Sequence, residues 1–309
     1  MLNRITFDVR PTPPFRLDLT VWTVRRRSGN AVDCWDGHVY RRVLVLHGAP
    51  VGIAVAQAGS RLHVCATGAG PLPPDARLRV ISMLERTLGL RSDLTDFYRF
   101  ARRDRKLRPL VERFRGVKPP RFPSLFEALL NAFACQQLSI EVGLELLNRL
   151  ARTYGVASPD GSAHAFPHPK ALASSRVDSL RRLGFSRAKS LAIIELARGV
   201  AAGRLDLERL TGLDDDAAVA ALCALRGVGR WTAEYVLLRG LGRLQIFPGD
   251  DVGAQNALGR WLGLTGLSGY DVVERALAPW RPWAGLIYFH LLLRGLGEAG
   301  DLAQGPEQR

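Results

Sequence analysis

At 309 residues the chain has room for two or three domains with their own cores, and a hydrophobic content of 47% excludes a disordered or fibrous protein. Forty-three basic residues against 29 acidic ones leave a formal charge of +14, which argues for a polyanionic partner. Only Lys106, Lys118, Lys170 and Lys189 are lysines, so the arginine count itself fits compositional bias, but the excess of base over acid still needs an explanation.

Cys34, Cys65, Cys135 and Cys223 show no C-x-x-C spacing. Zinc and iron–sulfur sites are therefore not expected, and buried reduced thiols of an intracellular, cytoplasmic protein are. No apolar run reaches about 18 residues, and no basic start leads into an apolar segment, so neither a membrane span nor a signal peptide is expected.

In chain order, residues 14–68 read as strands. Phe15 to Val21 alternates with period two, and Val39 to Leu46, Val51 to Ala56 and Leu62 to Ala66 are short, β-branched and bounded by Gly or Pro. Asp36-Gly37 marks a turn. After the break at Pro71 to Pro74, Asp75 opens a helix that ends near Gly89. Residues 1–93 are thus expected to form an antiparallel sheet with a covering helix, the first part of an α+β chain.

From Leu94 the pattern is helical. The basic stretch Arg99 to Arg115 is either a solvated helix face or a contact for a polyanion. Ser124 with Glu127 spells a capping box for a helix that runs towards Cys135-Gln136-Gln137-Leu138-Ser139, and Ser139 can cap the next helix, Ile140 to Tyr154. Residues 155–170 form a loop, where His164 and His168 lack further ligands for a metal. Short helices follow over Lys170 to Ser174, Val177 to Leu183, Arg187 to Gly199 and Asp206 to Leu210, and Asp214-Asp215-Asp216 caps another up to Ala224. Helices are also expected over Trp231 to Leu241, Asp251 to Leu262, Asp271 to Leu277 and Trp283 to Leu293, with 301–309 a frayed tail.

Two of these helices are joined by Gly227-Val228-Gly229. Glycine allows positive φ and close approach of another backbone. The N–H groups that open the second helix have no intrahelical partner and carry partial positive charge, so the turn can bind a phosphate without a basic side chain. Twenty residues after Trp231 comes Asp251, behind Phe247-Pro248-Gly249-Asp250. One of the two acids can be an N-cap; a carboxylate placed near bound phosphates could instead stabilise a developing cation or activate water. Trp231 and Tyr235 share a helix face, and Trp280 and Trp283 flank Arg281-Pro282. They are core residues or a stacking pocket for a flipped, flat base.

Leu225 to Ala233, with Asp251 at this spacing, resembles the helix-hairpin-helix DNA glycosylases. Trp280-Arg281-Pro282-Trp283 is similar to the matching motif of the DNA-3-methyladenine glycosylase II (AlkA) type, and Phe122 to Ser139 and Trp35 to Arg42 resemble further segments of it. The resemblance implies an α+β fold in which 94–300 forms two helical lobes around a cleft. It implies Asp251 as catalytic carboxylate, Trp231, Tyr235 and Trp283 as base pocket, and Gln137 or Leu138 as the wedge that fills the gap left by a flipped base. Gly227, Val228 and Gly229, with Arg230 and Thr232, would bind DNA, and Asp250 would be the cap.

No catalytic metal or cofactor is implied, beyond a monovalent cation on the hairpin carbonyls; the partner is duplex DNA and the protein a monomer. Bifunctional relatives place a lysine where Trp231 stands, and no lysine lies between 190 and 309, so a monofunctional enzyme is implied. Its substrates would be alkylated purines such as 3-methyladenine and 7-methylguanine, leaving an abasic site. Two positions depart from the family pattern: Ala284, where Arg is frequent, and the polar Gln137. Excision of oxidised or deaminated bases such as hypoxanthine, a non-catalytic lesion-binding protein, and an RNA- or nucleotide-binding protein are the alternatives.

Overall fold

A computed structural model describes residues 2–303. Strands β1 (Asn3–Val9), β2 (Cys34–Trp35), β3 (Val39–Leu46), β4 (Ala49–Ala58) and β5 (Arg61–Gly68) form one antiparallel sheet in the order β1-β5-β4-β3-β2. His47 and Gly48 both have positive φ, the geometry of a two-residue hairpin turn whose twist matches its strands, and so Leu46 pairs with Ala49. Val51, Ile53 and Val55 of β4 and Leu62, Val64 and Ala66 of β5 line the buried face, as alternation demands.

Two expectations fail here. The first strand is β1, where Ile5, Phe7 and Val9 alternate with Arg4, Thr6 and Asp8. Phe15 to Val21 is not a strand: α1 is a helix over Leu17–Arg25. All its residues but Asp18 are buried, because it lies between the sheet and the last helix of the chain. A helix enclosed on nearly every side has no polar stripe, so its 3.6-residue period is hidden and the chance alternation of Phe15, Leu17, Leu19 and Val21 dominates. Helix α2 (Ala76–Thr87) covers the sheet beside it through Val80, Met83 and Leu84.

The remainder is helical: α3 (Thr95–Arg103), α4 (Leu107–Arg113), α5 (Leu125–Cys135), α6 (Ile140–Tyr154), α7 (Pro169–Ala173), α8 (Val177–Arg182), α9 (Arg187–Ala201), α10 (Asp215–Cys223), α11 (Arg230–Val236), α12 (Val252–Leu262), α13 (Tyr270–Leu277) and α14 (Ala284–Glu298). Helix α11 runs on into a π turn over Leu237–Leu241. One core joins α5, α6, α9, α10 and α11 through Leu129, Phe133, Leu150, Ile193, Leu222 and Ala233. A second joins α3, α4, α12, α13 and α14 through Phe97, Leu107, Leu258, Val273 and Ile287, and takes in Leu19 and Trp22 of α1.

Ser124 and Ser139 cap α5 and α6, each accepting from the N–H three residues on, worth about 1 kcal/mol apiece. The capping box at α5 is half made. Glu127 does not reach back to Ser124; its buried carboxylate takes two bonds of 2.6 Å from Arg42 of β3. Arg42 also meets Asp33 at 2.5 Å, and Tyr40 donates to Asp33 at 2.7 Å, so a buried charge network fastens the sheet to α5. In the basic stretch, Ala101, Leu107, Leu110, Val111 and Phe114 fill the second core, while Arg99 and Arg108 pair with Asp96 and Glu112 at the surface. The expected frayed tail is a 3-10 turn over Asp301–Ala303, with Leu302 against the second core; residues 304–309 lie outside the described residues. Among the described residues no helix is long and apolar enough to cross a membrane.

Candidate active site

Helices α10 and α11 form the hairpin, and Asp214 caps α10 by accepting from Ala217 N–H. Gly227 sits at φ +78°, where only glycine is unstrained, and Gly229 faces open space. The N–H groups of Gly229, Arg230, Trp231 and Thr232 donate to no other described residue. Three residues of the expected hairpin interface also make contacts within the protein. Val228 packs its side chain into the first core and spends its N–H on Leu225 O. Thr232 is buried, and its hydroxyl accepts from Gln136, so only its backbone is free. Arg230 turns sideways, 3.4 Å over the Tyr270 ring and paired with Glu234 at 2.9 Å.

Asp251, not Asp250, caps α12: its Oδ1 accepts from Ala254 N–H at 2.9 Å. Its Oδ2 accepts from the indole N–H of Trp231 at 3.3 Å, which aims the carboxylate at the first lobe. Asp250 is exposed. The loop before Asp251 is held at both faces of Gly249: its N–H donates to buried Glu234, and its carbonyl accepts from Gln255. Burial pushes the Glu234 carboxyl up, against the pull of Arg230.

Trp231 and Tyr235 stack with ring centroids 5.5 Å apart. Trp283 makes no ring contact with them among the described residues; it tilts against Phe97 at 5.8 Å in the second lobe and stays half-exposed. Trp280 is core, packed on Trp261 with its N–H on Asp104. Ala284 is buried at the start of α14.

Sequence reasoning missed three groups here. Tyr288 of α14 stands edge-on to Phe247, and burial and then the Asp251 carboxylate push its phenol up. Arg26, just after α1, donates to Tyr235 Oη at 3.2 Å and Asn131 Oδ1 at 2.7 Å. Arg239 lies 5.7 Å from the Tyr235 ring centre and donates to Thr23 O. Neither buried guanidinium has a carboxylate partner among the described residues. No local signal marks Arg26, because its partners Asn131 and Tyr235 are 105 and 209 positions away.

Gln137 and Leu138 form the exposed tip of the turn between α5 and α6, with Gln137 at φ +55°. His168 merely caps α7, and among the described residues no cluster of His, Cys, Asp or Glu could hold a metal ion.

An exposed hairpin turn with free N–H groups, whose second helix carries an aromatic pair and meets the helix-capping carboxylate of the opposite lobe, is the architecture of a helix-hairpin-helix repair protein. The chain belongs to the HhH-GPD superfamily of base excision DNA repair proteins, whose family model matches residues 130–282. It is 29% identical over 223 residues to a DNA-3-methyladenine glycosylase of Bacillus subtilis, covering 72% of this chain and 74% of that one. It is also 29% identical over 177 residues to DNA-3-methyladenine glycosylase 2 of Escherichia coli, with 57% of this chain matched to 60% of the relative. The 3-methyladenine DNA glycosylase structure from Archaeoglobus fulgidus superposes with a TM-score of 0.80 at 28% identity, over 93% of this chain and 97% of that one.

Proposed function

We propose that the protein is a monofunctional DNA glycosylase of base excision repair that removes alkylated purines from duplex DNA. The observation that carries this is the Asp251 carboxylate, fixed by Ala254 N–H and Trp231 Nε1 beside the Trp231–Tyr235 stack. The hairpin N–H groups hold the backbone, Gln137 or Leu138 fills the gap, and the flipped base stacks on Trp231. As the glycosidic bond breaks, its electron pair leaves with the base and the sugar gains oxocarbenium character. The Asp251 charge stabilises that cation and orients the water that adds to C1′ and loses its proton. A purine methylated at N3 or N7 departs as a neutral molecule, so no strong general acid is needed. With Trp231 in place of a lysine there is no amine for a Schiff base, and the product is an intact strand with an abasic site.

A second reading has its own support. The guanidiniums of Arg26 and Arg239 behind Tyr235 disfavour a cationic ring and favour a neutral base that departs as an anion, such as hypoxanthine. The partner in either reading is duplex DNA, met by a monomer where the chromosome lies, in the cytoplasm. The carbonyls of Leu225 and Gly227 each accept one protein hydrogen bond and keep a lone pair, which supports a monovalent cation on the turn, where it would offset phosphate charge.

The test is base release. Purified protein is incubated with dimethyl-sulfate-treated duplex and, separately, with a hypoxanthine duplex, beside Asp251→Asn. Free methylpurines, strand cuts only after alkali, and no product from the variant are expected. Cleavage without alkali would sink the monofunctional assignment, and release of hypoxanthine alone would establish the second reading.

A further inference from the structure

The tip at 137–138 and the turn at 227–229 lie far apart in sequence, yet one side chain joins them. Gln136 donates both hydrogens of its amide, one to Gly227 O at 2.9 Å and one to Thr232 Oγ1 at 2.8 Å. The Gly227 carbonyl can only accept, so the amide nitrogen is the atom that must face the hairpin. The backbone of the same residue is held from the other side. Lys189 Nζ of α9 donates to Gln136 O at 2.7 Å and to Ala134 O at 3.5 Å. These are the orphan carbonyls at the end of α5, where a positive charge also meets the negative end of the helix dipole. The next residue is Gln137, whose φ of +55° a side-chain-bearing residue keeps only where its surroundings impose it.

We propose that Gln136 and Lys189 are positioning residues that couple the hairpin's grip on the DNA backbone to insertion of the Gln137–Leu138 tip. The inference rests on the glycosylase reading above. When a phosphate orders Gly227 to Gly229, the Gln136 amide is ordered with it, and Lys189 transmits that order to the strained tip. Neither residue faces the reacting atoms, so base flipping is the step they govern.

The experiment follows 2-aminopurine fluorescence beside a lesion in stopped flow, with duplex affinity by anisotropy and base release in parallel. It compares the wild type with Gln136→Leu, Lys189→Met, the double variant and Lys189→Arg. Flipping should slow about tenfold in each single variant, with the double variant no slower than the worse single one, while affinity for undamaged duplex changes less than about threefold. Lys189→Arg, which keeps the donors, should recover most of the rate. Wild-type flipping rates in both single variants would overturn the proposal, as would a parallel loss of duplex affinity or no recovery in Lys189→Arg. A wild type that binds duplex yet neither flips nor releases any base would instead fail the glycosylase reading and take the coupling with it.

Discussion

The indole N–H of Trp231 meets Oδ2 of Asp251 at 3.3 Å, so a single bond ties the helix after the hairpin to the helix that opens the opposite lobe. Replacing Asp251 with Asn keeps a capping oxygen and removes the charge. Turnover should fall by about 10²–10³ or more, while duplex affinity stays the same or rises. Trp231→Phe keeps a stacking ring and loses the donor; single-turnover kinetics should show about a tenfold drop in rate. Full activity in Asp251→Asn would remove Asp251 from the chemistry.

Gly227→Val should weaken binding to damaged and undamaged duplex alike. The new Cβ would lie 3.1 Å from the Ala192 methyl, at a φ of +78° that a β-branched residue resists. The strain should cost about 1–3 kcal/mol, read by urea unfolding, and anisotropy should show the uniform loss of affinity. Unchanged affinity would take the hairpin out of the interface.

Arg42→Met would leave the Glu127 and Asp33 carboxylates buried without their shared partner. Removing one member of a buried pair typically costs about 3–5 kcal/mol, so the urea midpoint should shift well outside error. A neutral result would mean that the sheet and α5 separate readily.

His290 supplies an acid limb to the stability profile. It is buried between Phe97 and Phe114, its Nδ1–H donates to Leu286 O, and its Nε2 has no partner among the described residues. Burial depresses its pKa from 6.5 to about 4. The unfolded chain then binds the proton first, so the contribution is intact above pH 6.5 and is lost as pH falls towards 4. The full effect is about 3 kcal/mol at 1.36 kcal/mol per pH unit. His290→Leu should flatten that window of a urea-unfolding series against pH; an unchanged profile would refute the assignment.

Much of this arrangement was legible in the sequence because it is written locally. Ser124, Ser139 and Asp214 cap helices within three residues of themselves, and Trp231 and Tyr235 meet because four residues make about one helical turn. Helix α1 was not legible, since burial on nearly every side erases periodicity. Nor could Asp250 and Asp251 be told apart as caps, because either lies one or two residues from the helix start and only the bond from Ala254 N–H to Asp251 decides. Arg26, Tyr288 and the Gln136–Lys189 pair gain their meaning from contacts across the fold, which no window of sequence contains.

Arg26 and Arg42 both come from the sheet region, yet one stands behind the Tyr235 ring and the other neutralises Glu127 inside α5. A fragment trimmed to the helical part would therefore lose the guanidinium bonded to Tyr235 and strand a carboxylate in its core. The boundary between the sheet and the helices is a boundary of topology only. Chemically the two parts share buried charges across that boundary.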